Sequence, residues 1–190
     1  MDANLAAFNV LASYQTNRDY RSVFTKGGEG AQLYSRAYTS ATIETIDVNG
    51  AVTTFATLQA PVPDSESSFV WNEAGTELVA LSPGGTVRRW QADGTALPSV
   101  TLTGWGTLTG EEAYGANSHL VVISGYYLTI TTGNVLSAWS KDGTRVKSAT
   151  LTGALTGQYP NFTFSHANKK LWFGDWNGTT SIWRSFDVGL

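Results

Sequence analysis

Trp71-Asn72-Glu73-Ala74-Gly75-Thr76-Glu77-Leu78-Val79-Ala80-Leu81-Ser82-Pro83-Gly84-Gly85-Thr86-Val87-Arg88-Arg89-Trp90-Gln91-Ala92-Asp93-Gly94 is built of short apolar runs separated by turn residues. Asn72 to Thr76, Pro83-Gly84-Gly85 and Asp93-Gly94 are turn clusters, and the runs between them are too short for amphipathic helices. With the residues around it, the stretch predicts four antiparallel strands: Ser68–Trp71, Glu77–Leu81, Thr86–Gln91 and Ser99–Thr103. Asp-Gly between two apolar runs marks a hairpin, because both residues tolerate the positive φ of a type I′ turn.

Working outward, the same pattern returns. A large apolar residue stands four before each Asx-Gly glycine: Ile46 before Gly50, Trp90 before Gly94 and Trp139 before Gly143. Trp183, four before Asp187, reads as the fourth marker, and the spacings between markers are 44, 49 and 44 residues. Twelve residues upstream of the markers stand Tyr34, Leu78, Tyr127 and Leu171, and twelve downstream of the first three stand Leu58, Leu102 and Leu151. A repeated four-stranded meander of about 45 residues points to a β-propeller, because each small sheet has two faces to cover and stacking around an axis covers both. A sandwich does not demand such a constant spacing.

The expected architecture is therefore all-β: a single domain over residues 1–190, a four-bladed β-propeller of four-stranded antiparallel blades at about 20–60, 67–104, 118–153 and 161–190. Only seven residues follow Trp183, so residues 4–14, with their apolar core Leu5–Tyr14, are expected to add the outer strand of the last blade and tie the chain's two ends together. Trp71, Trp90, Trp139 and Trp183 fall at repeat positions and read as core or interblade packing.

Two units resemble WD40-type repeats: Phe164-Ser165-His166-Ala167-Asn168-Lys169-Lys170-Leu171 running on to Trp183, and Trp71 to Leu78 followed by Gly85 to Trp90. The resemblance implies the propeller architecture. It departs from the family in having no Gly-His dipeptide and no Asp after any marker Trp; Gln91, Ser140 and Arg184 stand there instead. The family's Asp-His-Ser-Trp network has no counterpart, and nothing about partners carries over.

Composition narrows the function. Charged residues are 14% of the chain, against roughly 25% in an average soluble domain, while Thr occurs 25 times and Gly 20 times. The aromatic content excludes disorder. A net charge of −3 with 12 basic residues gives no basic surface for nucleic acid. Cysteine is absent, which removes disulfides, thiolate metal sites and Cys nucleophiles. The N-terminus lacks the charged and apolar regions of a secretory signal, and no segment is apolar enough to span a bilayer, so a virion or cytoplasmic location is expected, with no membrane partner. The sequons at Asn161 and Asn177 read as accidental.

Catalytic constellations are weak. His119 and His166 stand near the first strands of the third and fourth units without a repeated carboxylate spacing, so no metal and no cofactor are expected. The carboxylate pairs Asp64/Glu66, Glu73/Glu77 and Glu111/Glu112 read as solvated charge in turns. There is no Gly-x-Ser-x-Gly elbow and no phosphate loop; Gly27-Gly28-Glu29-Gly30 precedes a strand and reads as a turn. Loop aromatics are the better signal. Trp105, between Gly104 and Gly106, Trp176 in Asp175-Trp176-Asn177-Gly178, and the interblade Tyr114 and Tyr159 are candidate ligand-binding residues, because a flat apolar ring suits a sugar face or a partner's apolar patch.

The expected function is non-catalytic. Low charge, no cysteine and a compact all-β unit resemble bacteriophage virion proteins, which implies a capsid or tail decoration contacting other virion or scaffold proteins, or copies of itself. A carbohydrate-binding, lectin-like propeller for host-surface recognition is the alternative, and a glycoside hydrolase, needing two close carboxylates, the third.

Overall fold

The computed structural model describes residues 20–25, 33–37, 40–47, 49–62, 69–82, 84–111, 119–131, 133–152, 161–165, 170–176 and 181–189. Among them there is no helix. Four antiparallel sheets follow one another along the chain. The first holds β1 (Tyr20–Thr25), β2 (Leu33–Ala37), β3 (Thr42–Ile46) and β4 (Val52–Thr57). The second holds β5 (Phe69–Trp71), β6 (Glu77–Ser82), β7 (Thr86–Gln91) and β8 (Ala96–Thr101). The third holds β9 (His119–Ile123), β10 (Tyr126–Ile130), β11 (Val135–Trp139) and β12 (Arg145–Thr150). The fourth holds β13 (Asn161–Ser165), β14 (Lys170–Trp176) and β15 (Ser181–Asp187). Each is a meander in sequence order, and the first strands of neighbouring sheets lie side by side, β1 against β5 and β5 against β9. That is blade-on-blade stacking about an axis.

The blades are held by three successive apolar layers. Phe24, Tyr34 and Ile43 of the first blade pack on Phe69, Trp71, Leu78 and Trp90 of the second. The forward face of the second blade, Val79, Leu81 and Val87, packs on Leu120, Val122, Tyr127 and Trp139 of the third. Leu128, Ile130 and Ala138 of the third meet Leu171 and Val188 of the fourth. Trp71, Trp90 and Trp139 are buried, as their repeat positions require. Trp90 also donates its Nε1–H across the blade boundary to the Gln59 carbonyl at 2.9 Å.

The three Asx-Gly turns share one geometry, and it is not type I′. The glycine N–H bonds back to the residue three before it, Gly50 to Asp47, Gly94 to Gln91 and Gly143 to Ser140. Among the described turn residues only the glycine has positive φ: 81° at Gly50, 92° at Gly94 and 86° at Gly143. This is a type I turn ending in a left-handed glycine bulge. An Asp side chain braces each turn: the Asp47, Asp93 and Asp142 carboxylates accept backbone N–H bonds from Ala51, Thr95 and Thr144.

These turns also join the blades. Gly94 and Gly143 are buried against the exit of the preceding blade's outer strand, their carbonyls accepting from Gln59 N–H at 2.9 Å and Thr103 N–H at 2.8 Å. A Cβ on either glycine would collide with a backbone carbonyl, of Thr57 or of Thr101. Leu58, Leu102 and Leu151 play one role in three blades, each donating its N–H to the turn between the second and third strands, at Ala41, Gly85 and Asn134.

Four features differ from the sequence expectation. The outer strand β8 begins at Ala96, three residues before Ser99, because the Asp93-Gly94 turn returns the chain at once into pairing with β7. Leu33, not Tyr34, faces Ile46; Tyr34 turns to the opposite face and meets Trp71 with ring centroids 5.3 Å apart. Trp176 lies at the end of a strand, paired with Ser181, not in a turn. Most consequential, Trp183 is not buried, although it lies on the face by which the second blade meets its neighbour. The β14–β15 ladder continues to Trp176, so the residue opposite the buried Leu171 is Phe186, and Trp183 falls opposite Gly174 on the other face. The proposed outer strand at residues 4–14 lies outside the described residues.

Candidate functional site

By register, Leu171 and Phe186 hold the places of Leu78 and Trp90 in the second blade. Trp172 and Trp183 then hold the places of Val79 and Val87. Val79 and Val87 are 1% and 0% exposed, under the third blade. Trp172 and Trp183 are 37% and 56% exposed. Two tryptophans thus stand on the forward face of the fourth blade where the second blade places valines covered by a neighbour. Trp172 pairs with Ser185 and Gly174 with Trp183, so the two indoles are diagonal neighbours, and Gly174 adds no side chain between them. At one end of the face Lys170 Nζ meets Asp187 Oδ1 at 2.9 Å in an open ion pair.

The sequence candidates fare as follows. Trp105 is half-buried at the exit of β8, its ring 6.1 Å from that of Trp139 and pressed on Gly85, where a Cβ would collide with the indole. Its Nε1 is buried without a hydrogen-bond partner. Trp176 closes the β14 ladder, four register positions beyond Trp172. Tyr114 and Tyr159 lie outside the described residues, as do His166 and the pair Asp64/Glu66. Trp105 follows the outer strand of the second sheet, and Trp176 ends β14 of the fourth.

Glu73, Glu77 and Glu111 are not free surface charge. Glu111 is buried. One of its oxygens accepts from Gly106 N–H at 2.8 Å and from Arg145 at 2.6 Å, the other from Ser137 Oγ at 3.3 Å. Arg145 also bonds the Gly104 carbonyl and lies 4.4 Å over the Trp139 ring. This network pins the loop carrying Trp105 onto the third blade. Glu77 pairs with Arg89 across one sheet at 2.7 Å. Glu73 reaches from the β5–β6 turn to accept the N–H groups of Ser124 and Gly125 in the next blade. Burial drives the Tyr127 phenol above its ordinary pKa of 10.0 and the Lys141 ammonium, 4.5 Å over that ring, below 10.5. Among the described residues, no three His, Asp or Glu are grouped to hold a metal.

Trp172 and Trp183 escaped the sequence reading because their exposure depends on strand register. The available signal was Phe186-Asp187, an aromatic–Asp pair three residues beyond the assigned marker.

No protein-family model and no curated protein matches the chain. Solved structures do. A streptogramin B lyase aligns over 90% of this chain and 55% of its own, with 15% identity and a TM-score of 0.52. The C-terminal WD40 domain of Sif2 aligns over 89% of this chain and 57% of its own, with 14% identity and a TM-score of 0.51. The glutaminyl cyclase of Myxococcus xanthus aligns over 81% of this chain and 66% of its own, with 14% identity and a TM-score of 0.54. The chain thus spans a little over half the length of the lyase and of the WD40 domain. At this identity the likeness concerns the fold, which is that of a β-propeller.

Proposed function

We propose that the protein is a non-catalytic binding module, carried on a bacteriophage virion as a decoration or appendage and contacting other virion or scaffold proteins. The observation that carries the binding reading is the uncovered forward face of the fourth blade, with Trp172 and Trp183 where the second blade has buried valines. Large exposed indoles on a sheet face favour association, since covering them removes apolar surface from water. The non-catalytic reading is supported by the carboxylates: Glu73, Glu77 and Glu111 are each tied into hydrogen bonds or ion pairs that join strands or blades. Lyase and cyclase activity belong to two of the similar structures and are not carried over. The virion reading rests on composition, with 14% charged residues and no cysteine.

The experiment is sedimentation of the native chain from its source. Migration with a large particle, lost on Trp183→Ala, is the expected result. Migration as a free monomer that shows no association with any particle refutes it.

Carbohydrate binding is the second reading, favoured by the same indoles, whose faces suit the apolar side of a sugar ring.

A further inference from the structure

We infer that the forward face of the fourth blade is a binding platform for a neutral hexose polysaccharide, with Trp172 and Trp183 as its stacking surfaces; this rests on the binding reading above and names its ligand class. Three observations carry it.

The first is size. The three described strands, set about 4.8 Å apart, with β14 seven residues long, make a face of roughly 10 by 24 Å, or about 240 Å². A stable protein interface needs about 800 Å² from each partner. The described face by itself falls short of such an interface, so a protein partner would have to reach beyond it, whereas a narrow, extended ligand would not.

The second is shape. Trp172 and Trp183 are diagonal across β14 and β15, and the position beside Trp183 is Gly174. Gly174 and Ser185, opposite Trp183 and Trp172, are both small, so between the indoles a chain of pyranose rings meets nothing larger than a hydroxyl side chain. Pyranose rings present C–H groups on one side, and these complement the negative face of an indole.

The third is charge. Lys170 and Asp187 are the charged residues described on this face, and they neutralise each other at 2.9 Å. A neutral rim with one donor and one acceptor group suits hydroxyls rather than carboxylates, phosphates or sulfates. A membrane surface or nucleic acid would require excess positive charge here.

The test is affinity electrophoresis of the full chain in gels containing neutral polysaccharides (laminarin, mixed-linkage β-glucan, galactomannan, dextran) or anionic polygalacturonate. The expected result is retardation by at least one neutral polymer, abolished by Trp183→Ala, weakened at least tenfold in affinity by Trp172→Ala, restored in part by Trp172→Tyr, and unchanged by Val146→Ala on the third blade. Near-ultraviolet circular dichroism checks that each variant is folded; Trp183 is the more exposed, so its variant reads binding even where the Trp172 variant is unstable. Three results overturn the inference: no retardation in any neutral gel, equal retardation of native chain and Trp183→Ala, or a native dimer by light scattering that Trp183→Ala dissociates. If glycan binding is absent while particle association is still lost on Trp183→Ala, the binding reading stands and the ligand class is wrong.

Discussion

Replacing Gly143 by alanine tests the joint between the second and third blades. Gly143 has φ +86°, and its carbonyl accepts the Thr103 N–H at 2.8 Å. An alanine there bears two penalties. The left-handed backbone costs an L-residue about 1–2 kcal/mol. The new Cβ also meets the carbonyl oxygen of Thr101, part of a strand end that cannot rotate away as a side chain would. Relief requires the turn to lift from β8, which sacrifices the hydrogen bond to Thr103, about 1 kcal/mol. The total is about 2–3 kcal/mol. Gly125 is the internal control: its φ is +78°, yet a Cβ added there meets nothing within 4 Å. Gly125→Ala should therefore cost only the backbone strain, about 1–2 kcal/mol. Urea unfolding followed by tryptophan fluorescence measures both. Equal destabilisation by the two substitutions would refute the docking argument, because it would mean that the contact with Thr101 adds nothing to the backbone effect.

Further outcomes follow from the same structure. Glu111→Gln leaves Arg145 half-buried beside Trp139 without its counter-charge and should destabilise the fold by about 3 kcal/mol; a loss under about 1 kcal/mol in chemical denaturation would show the pair to be solvated. Trp90→Phe keeps most of the packing but removes the Nε1 bond to Gln59, and a Tm drop of several degrees is expected, beyond that of an exposed substitution such as Phe55→Leu. Hydrogen bonds from the Ala51 and Thr95 N–H groups, and from Ser140 Oγ, hold the Asp47, Asp93 and Asp142 carboxyls below their ordinary 3.8. Their contribution is thus fully present above about pH 4 and declines as pH falls below 3.8 through the lower folded values, the unfolded chain taking up protons first. The acid limb of a stability–pH profile should flatten in the triple Asp→Asn variant, and an unchanged limb would count against the turn bonds.

Strand positions and the stacking of like units were legible in the chain because both are local. Alternation, turn residues and a repeat of 44 to 49 residues report where the backbone reverses. The buried Trp90 and Trp139 could be named from their place before Asp-Gly, where each meets the previous blade. Trp105 was less legible, for whether its ring lies open or tucked depends on Gly85 and Trp139, both distant in sequence. Glu111 was misread as surface charge for the same reason: its partner Arg145 is 34 residues away on another blade.

By itself, then, the amino-acid order determined the all-β class, the unit length, the turns and the order of strands within each sheet, all consequences of short-range backbone preference and apolar periodicity. Only the tertiary structure decided which face each aromatic presents. In an antiparallel ladder a slip of one residue exchanges the faces, as at Tyr34. A longer ladder changes which residue stands opposite the core, as at Phe186 and Trp183. Register is settled by packing against the next blade, not by the strand's own composition, and so the exposed pair Trp172 and Trp183 became visible only once the sheets were stacked.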